Sequence, residues 1–142
     1  MSKQKKAKFN LIDEKSGIIL PKRATTGSAG YDFHAPDSLL VEAHGSIKFK
    51  TGVWVDIPKG QVLLLFPRSG LGMKGIRIAN TIGVIDSDYK EEIVCKLIND
   101  SDEDIFIEEG NRYMQGVFVK FFTAEEETVT ENRTGGMGST GE

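Results

Sequence analysis

Apolar residues recur at every second position in this chain, and that spacing restricts most of it to β-strands. Ile47-Lys48-Phe49-Lys50 alternates apolar and charged, as a half-buried strand does. Val53, Val55 and Ile57 then point one way, with Trp54 and Asp56 on the other face. The turn Pro58-Lys59-Gly60 leads into Val62 to Phe66, an unbroken apolar run that reads as a strand buried on both faces. Further runs cover Ile93 to Ile98 and Ile105 to Ile107, and the turn Glu109-Gly110-Asn111 precedes a long strand from Tyr113 to Phe122. No window carries an i, i+3, i+4, i+7 stripe of helical length. Short strands at roughly 8–12-residue spacing imply an all-β sandwich or barrel.

At 142 residues the chain fits one domain. A domain of that size buries roughly 68–70% of its extended-chain surface and needs no disulfide. The single cysteine, Cys95, excludes an internal disulfide and a cysteine-rich metal site; within Ile93-Val94-Cys95 it reads as a buried, inert thiol. No run reaches the ~18 apolar residues of a membrane span, and no signal-peptide core opens the chain, so a cytoplasmic protein is expected. A net charge of −3 argues against a broad nucleic-acid surface. Lys3, Lys5, Lys6 and Lys8 read either as a solvated terminus or as an address or a contact for anions.

Two stretches stand apart from the β-rich core, which spans residues 1–123. Ala124-Glu125-Glu126-Glu127 is an acidic connector, and residues 133–142 carry almost no apolar surface. Such a segment cannot offset its own ordering entropy, so residues 124–142 are expected to form a connector and a flexible, glycine-rich arm.

Chemistry concentrates in a few places. In Phe66-Pro67-Arg68-Ser69-Gly70-Leu71-Gly72 a strand ends in an Arg fork, a hydroxyl and glycines, all suited to phosphate oxygens. Gly83-Val84-Ile85-Asp86-Ser87-Asp88-Tyr89 puts two acids at the end of an apolar stretch. They can orient a water or hold hydrated Mg²⁺, and Tyr89 can pack on a sugar or base. The same residues would also make an ordinary Asp-rich turn. Asp32, in Ala29-Gly30-Tyr31-Asp32-Phe33, is a third acid that by itself reads as a hairpin carboxylate. The arm, with Arg133, Ser139 and Thr140 among glycines, has the donors to wrap a polyphosphate.

Taken in order, these segments resemble the five motifs of the trimeric dUTPase family. They are Ala29 to Ala35, Pro67 to Gly72, Asn80 to Tyr89, Arg112-Tyr113-Met114-Gln115, and Arg133 to Gly141. The likeness runs from about Lys22 onward. It implies a jelly-roll-like all-β subunit in a homotrimer, with shared active sites and the arm closing over a neighbour's site. It also implies a dUTP diphosphatase that makes dUMP and pyrophosphate, limits uracil incorporation into DNA and supplies dUMP for dTTP synthesis.

By the same resemblance, Arg68, Ser69 and Gly70 match the phosphate turn. Asn80 and the backbone of Gly83, Val84 and Ile85 match the uracil hairpin, with Val94 beside them. Tyr89 matches the residue packed on deoxyribose, and Asp86 the carboxylate that orients and deprotonates the attacking water. Asp32 resembles the acid that supports the hydration shell of Mg²⁺. Gln115 resembles a phosphate contact, and Arg112 a supporting interface residue. Arg133, Ser139 and Thr140 resemble the arm groups on the γ-phosphate, and Met137 and Gly138 the part over the base.

The family departs from this chain in two places. Met137 stands where it usually has a phenylalanine that stacks on uracil, and Glu91 where it commonly has a glycine. Methionine is apolar and polarizable but lacks a planar face, so a weaker clamp with retained activity is expected. Glu91 calls the local turn into question. A dCTP deaminase, which shares the fold, relies on a glutamate where Lys96 stands here. A nucleotide-binding trimer acting on a regulatory partner is the alternative of a different class.

Overall fold

The computed structural model describes residues 5–125 and 129–134. Met137, Gly138, Ser139 and Thr140, and most of the expected arm, lie outside the described residues. Eleven strands and one short helix are described: β1 (Lys8–Leu11), β2 (Tyr31–His34), β3 (Leu39–Val41), β4 (Ser46–Lys50), β5 (Val53–Asp56), β6 (Gln61–Pro67), α1 (Ser69–Met73), β7 (Ile76–Ile78), β8 (Gly83–Ile85), β9 (Val94–Asn99), β10 (Ile105–Ile107) and β11 (Arg112–Lys120). The all-β expectation holds, with α1 added where a turn was expected.

All pairings among these strands are antiparallel. The larger sheet runs β2-β11-β6-β8 and a second runs β4-β9-β7, while β1-β5 and β10-β3 form two-stranded pairs. The inner faces meet in one core. Leu63 and Leu65 of β6, Phe33 of β2 and Ile85 of β8 pack with Leu97 of β9 and Ile76 and Ile78 of β7. Tyr113 bridges the sheets, its ring centroid 6.4 Å from Phe33 and 5.2 Å from Phe49, at edge-to-face angles. A register shift between Arg112 and Met114 turns both Tyr113 and Met114 inward, against strict alternation.

Asn99 ends β9 fully buried and ties three segments together. Its amide donates to the Val41 carbonyl at 2.9 Å and the Glu103 carbonyl at 2.7 Å, and its oxygen accepts from Ser101 N and Oγ. Cys95 is buried as expected, and burial pushes its thiol up to about 12.

Two strand expectations need correction. β6 is not buried on both faces: Leu63 and Leu65 are inside, whereas Leu64 and Phe66 are half-buried. Among the described residues the outer face of this sheet, where Val84, Leu64 and Val117 stand in register, is only partly covered, and Val84 is 58% exposed. The last strand stops at Lys120, and Phe122 beyond it is 93% exposed. The N-terminal lysines are also not all a loose end, because Lys8 pairs with Asp56 in the β1-β5 ladder. Glu91 is exposed and is not among the residues at positive φ, so the local backbone makes no demand that only glycine meets.

Candidate active site

The phosphate-turn residues gather where β6 ends. Arg68 leaves the strand in an extended conformation, and Ser69 and Gly70 form the exposed first turn of α1. Arg68 Nε donates to Asp32 Oδ1 at 3.1 Å, and Arg112 Nη1 lies 3.8 Å from Asp32 Oδ2. Asp32 is only 8% exposed, so its charge is balanced by these guanidinium groups rather than by water. Gln115 stands opposite Asp32 on one side and Phe66 on the other, and its Nε2 donates to the Pro67 carbonyl at 3.2 Å. Asp32, Arg68, Ser69, Gly70 and Gln115 therefore form one group. Behind it lies His34, whose ring titrates below the ordinary histidine range, first through burial and then through the Lys22 charge.

A second group surrounds the β7–β8 hairpin. Asn80, Gly83, Val84, Ile85 and Val94, all expected from the sequence, line a cavity of about 340 Å³. Thr81 sits at φ 67, a strained position for a β-branched residue, with Ile82 N–H bonded to the Asn80 carbonyl at 2.7 Å. Gly83 lets the hairpin approach β6, since a Cβ there would stand 3.0 Å from Leu65 Cβ. Lys48, Lys96 and Met114 also line this cavity, and sequence reading did not single them out for it. Their strands are distant in sequence, and alternation alone does not reveal which strand pairs with which.

The third group follows directly. β8 ends at Ile85, and Asp86 emerges with its side chain 52% exposed, accessible to a water. Arg133 Nη2 donates to Asp86 Oδ2 at 2.6 Å and its Nε to Asp88 Oδ1 at 3.0 Å. The hydrogen bond to Asp88 is the main cause of a raised Arg133 pKa. The same guanidinium lies 5.6 Å over the Tyr89 ring. Tyr89 is buried, and its hydroxyl donates to the Glu92 carbonyl at 2.7 Å. Arg133 thus meets Asp86 within one chain. None of the described hydrogen bonds or ion pairs joins the Asp86 group to the Arg68 group.

A guanidinium turn for anions, a cavity large enough to admit a nucleobase and a water-accessible carboxylate one residue beyond its lining are the features of a nucleotide-handling all-β protein. The comparisons narrow the class. The dUTPase family model matches residues 16–141, and the chain belongs to that family. It is 40% identical to the deoxyuridine 5'-triphosphate nucleotidohydrolase of Lactococcus lactis, covering 89% of this chain and 90% of that one. The Treponema denticola protein of the same description is 41% identical, covering 89% and 94%. Among solved structures, the Streptococcus mutans dUTPase superposes with a TM-score of 0.73 at 33% identity, covering 82% and 98%. A mutant dUTPase from phage phi11 of S. aureus, solved for its structural Mg(II) ion, gives 0.75 at 26% identity, covering 89% and 98%.

Proposed function

We propose that this chain is a dUTP diphosphatase that releases dUMP and pyrophosphate. The observation that carries the reading is the continuity of one segment: Asn80, Gly83, Val84 and Ile85 line the cavity, and Asp86 follows Ile85 directly in the chain, exposed to water. In this reading the hairpin backbone and Val94 read uracil, and Tyr89 packs on the deoxyribose. Arg68, Ser69, Gly70 and Gln115 hold phosphate oxygens. Asp86 aims and deprotonates a water toward the α-phosphorus, and pyrophosphate leaves in line. Arg133, Met137, Gly138, Ser139 and Thr140 close over the γ-phosphate and the base, which excludes bulk water.

The sites are shared in a homotrimer. One observation supports this: the apolar row Val84, Leu64 and Val117 stands in register on the outer face of the larger sheet, with Val84 58% exposed. Among the described residues no group of three or more His, Cys, Asp or Glu side chains is placed to hold a metal. Mg²⁺ binds through one or two carboxylates, substrate phosphates and retained waters, and the exposed carboxylates Asp86 and Asp88 are the oxygen donors it favours. Asp32 would act through its hydration shell, and the bound ion would neutralise phosphate charge. No helix among the described residues is long and apolar enough to cross a membrane. A free buried thiol suits the reducing cytoplasm where this enzyme would work.

The test is pyrophosphate release with Mg²⁺ from dUTP, dTTP, dCTP and UTP, by wild type and Asp86→Asn. Turnover of dUTP alone, lost in the variant while binding persists, is the expected result. Comparable turnover of all four refutes it. A second reading, a nucleotide-dependent regulatory partner, is favoured by one likeness: the dUTPase of Staphylococcus bacteriophage 80alpha, described as controlling transfer of virulence genes, superposes with a TM-score of 0.75 at 27% identity. Binding of dUTP without turnover would move the assignment there.

A further inference from the structure

The cavity beside the β7–β8 hairpin has a wall that the proposed base contacts leave unused. Lys48 of β4 and Lys96 of β9 both line it. The antiparallel register sets these two lysines directly opposite each other. Lys96 also shares a face of β9 with Val94, two residues earlier. Both lysines are exposed, so water screens them in the free cavity, and like charges directly opposite repel more strongly once an occupant displaces that water. The cavity lining contains no aspartate or glutamate to relieve them, and neither lysine forms an ion pair among the described residues. Apart from Asn80, the remaining side chains of the lining are apolar. An occupant that presents acceptors to this wall relieves the repulsion, and one that presents donors adds to it.

Uracil and cytosine differ in that respect. Uracil has a carbonyl at ring position 4, whereas cytosine has an amino group whose hydrogens carry positive partial charge. We propose that Lys48 and Lys96 are specificity-determining residues, presenting cationic donors to the 4-carbonyl side of a bound uracil and repelling the amino group of cytosine. The assignment rests on the cavity being the base site, and deepens that reading. It adds a repulsive element against cytosine to the backbone contacts by which the hairpin reads uracil.

The experiment compares kcat/KM for dUTP, dCTP and dTTP in wild type, Lys96→Met, Lys96→Arg and the Lys48→Met/Lys96→Met double variant. Methionine keeps the stem and removes the charge. The preference for dUTP over dCTP should fall about tenfold or more in Lys96→Met, fall further in the double variant, and persist in Lys96→Arg. The preference for dUTP over dTTP should not change, because thymine keeps both carbonyls. Melting temperatures should hold or rise, since a repulsion is removed. An unchanged dUTP-to-dCTP ratio in the double variant overturns the assignment. So does a parallel fall in both ratios, which would mean a deformed cavity. Asn80→Ala in the same assay reports on the underlying reading separately: an unmoved KM for dUTP would mean that the cavity is not the base site, so the two failures are distinguishable.

Discussion

Replacing Gly30 by alanine should disturb the phosphate turn from the opposite side of the sheet. A Cβ on Gly30 would press into Gln115 Oε1 and stand 3.2 Å from its Cδ. Oε1 would have to retreat by about 1 Å to reach ordinary contact. The carboxamide is tethered there, because Nε2 donates to the Pro67 carbonyl at 3.2 Å, one residue before Arg68. Losing that bond costs about 1 kcal/mol. A forced rotamer adds roughly 0.5–1.5 kcal/mol. The sum, about 1.5–2.5 kcal/mol, corresponds to a fall of roughly 10- to 70-fold in kcat/KM if the ordered turn is what binds phosphate. The assay is steady-state dUTP hydrolysis, with urea unfolding at fixed chain concentration because self-association would couple to stability. Gln115→Ala serves as the partner in a double-mutant cycle. In that background the two nearest contacts are gone and Gln115 Cβ at 3.3 Å remains, so Gly30→Ala should cost less than about 0.5 kcal/mol. Additive losses in the double variant would refute the reasoning.

Other expected outcomes follow from single contacts. Arg68→Lys keeps the charge but loses the planar fork that holds Asp32, and should raise KM for dUTP about tenfold, read by steady-state kinetics. Asn99→Ala removes a fully buried side chain with four hydrogen bonds and leaves the Val41 carbonyl without its amide donor; it should cost about 3 kcal/mol and lower the melting temperature by roughly 6–12 °C. The Cys95 pKa is raised from 9.0 to about 12 by burial, so the stability it contributes is full below pH 9 and lost as pH rises toward 12. Chemical denaturation across that range should show a stability slope about 1.4 kcal/mol per pH unit steeper in wild type than in Cys95→Val. A thiol reagent at pH 8 should label Cys95 only after unfolding, and fast labelling of the folded chain would contradict its burial.

The fold class is legible in the chain alone, because side-chain alternation along a strand is a local property. The inward set Val53, Val55 and Ile57 and the turn at Gly110, with its φ of 84, could be read directly. The sequence also supplied the motif residues, and the five assigned to the base site do line one cavity. What depends on strand pairing emerges only once the chain has folded. The order β2-β11-β6-β8 places Gln115 between Asp32 and Phe66, and no pattern within β11 dictates those partners. The inward turn of both Tyr113 and Met114 needs a register shift, which breaks the period that made the strand legible. The half-buried Leu64 shows the same limit, since apolarity reports that a face will be covered but not by what. Lys48 and Lys96 meet across a ladder between segments far apart in the chain, and only closure of that ladder makes two ordinary surface lysines walls of one cavity.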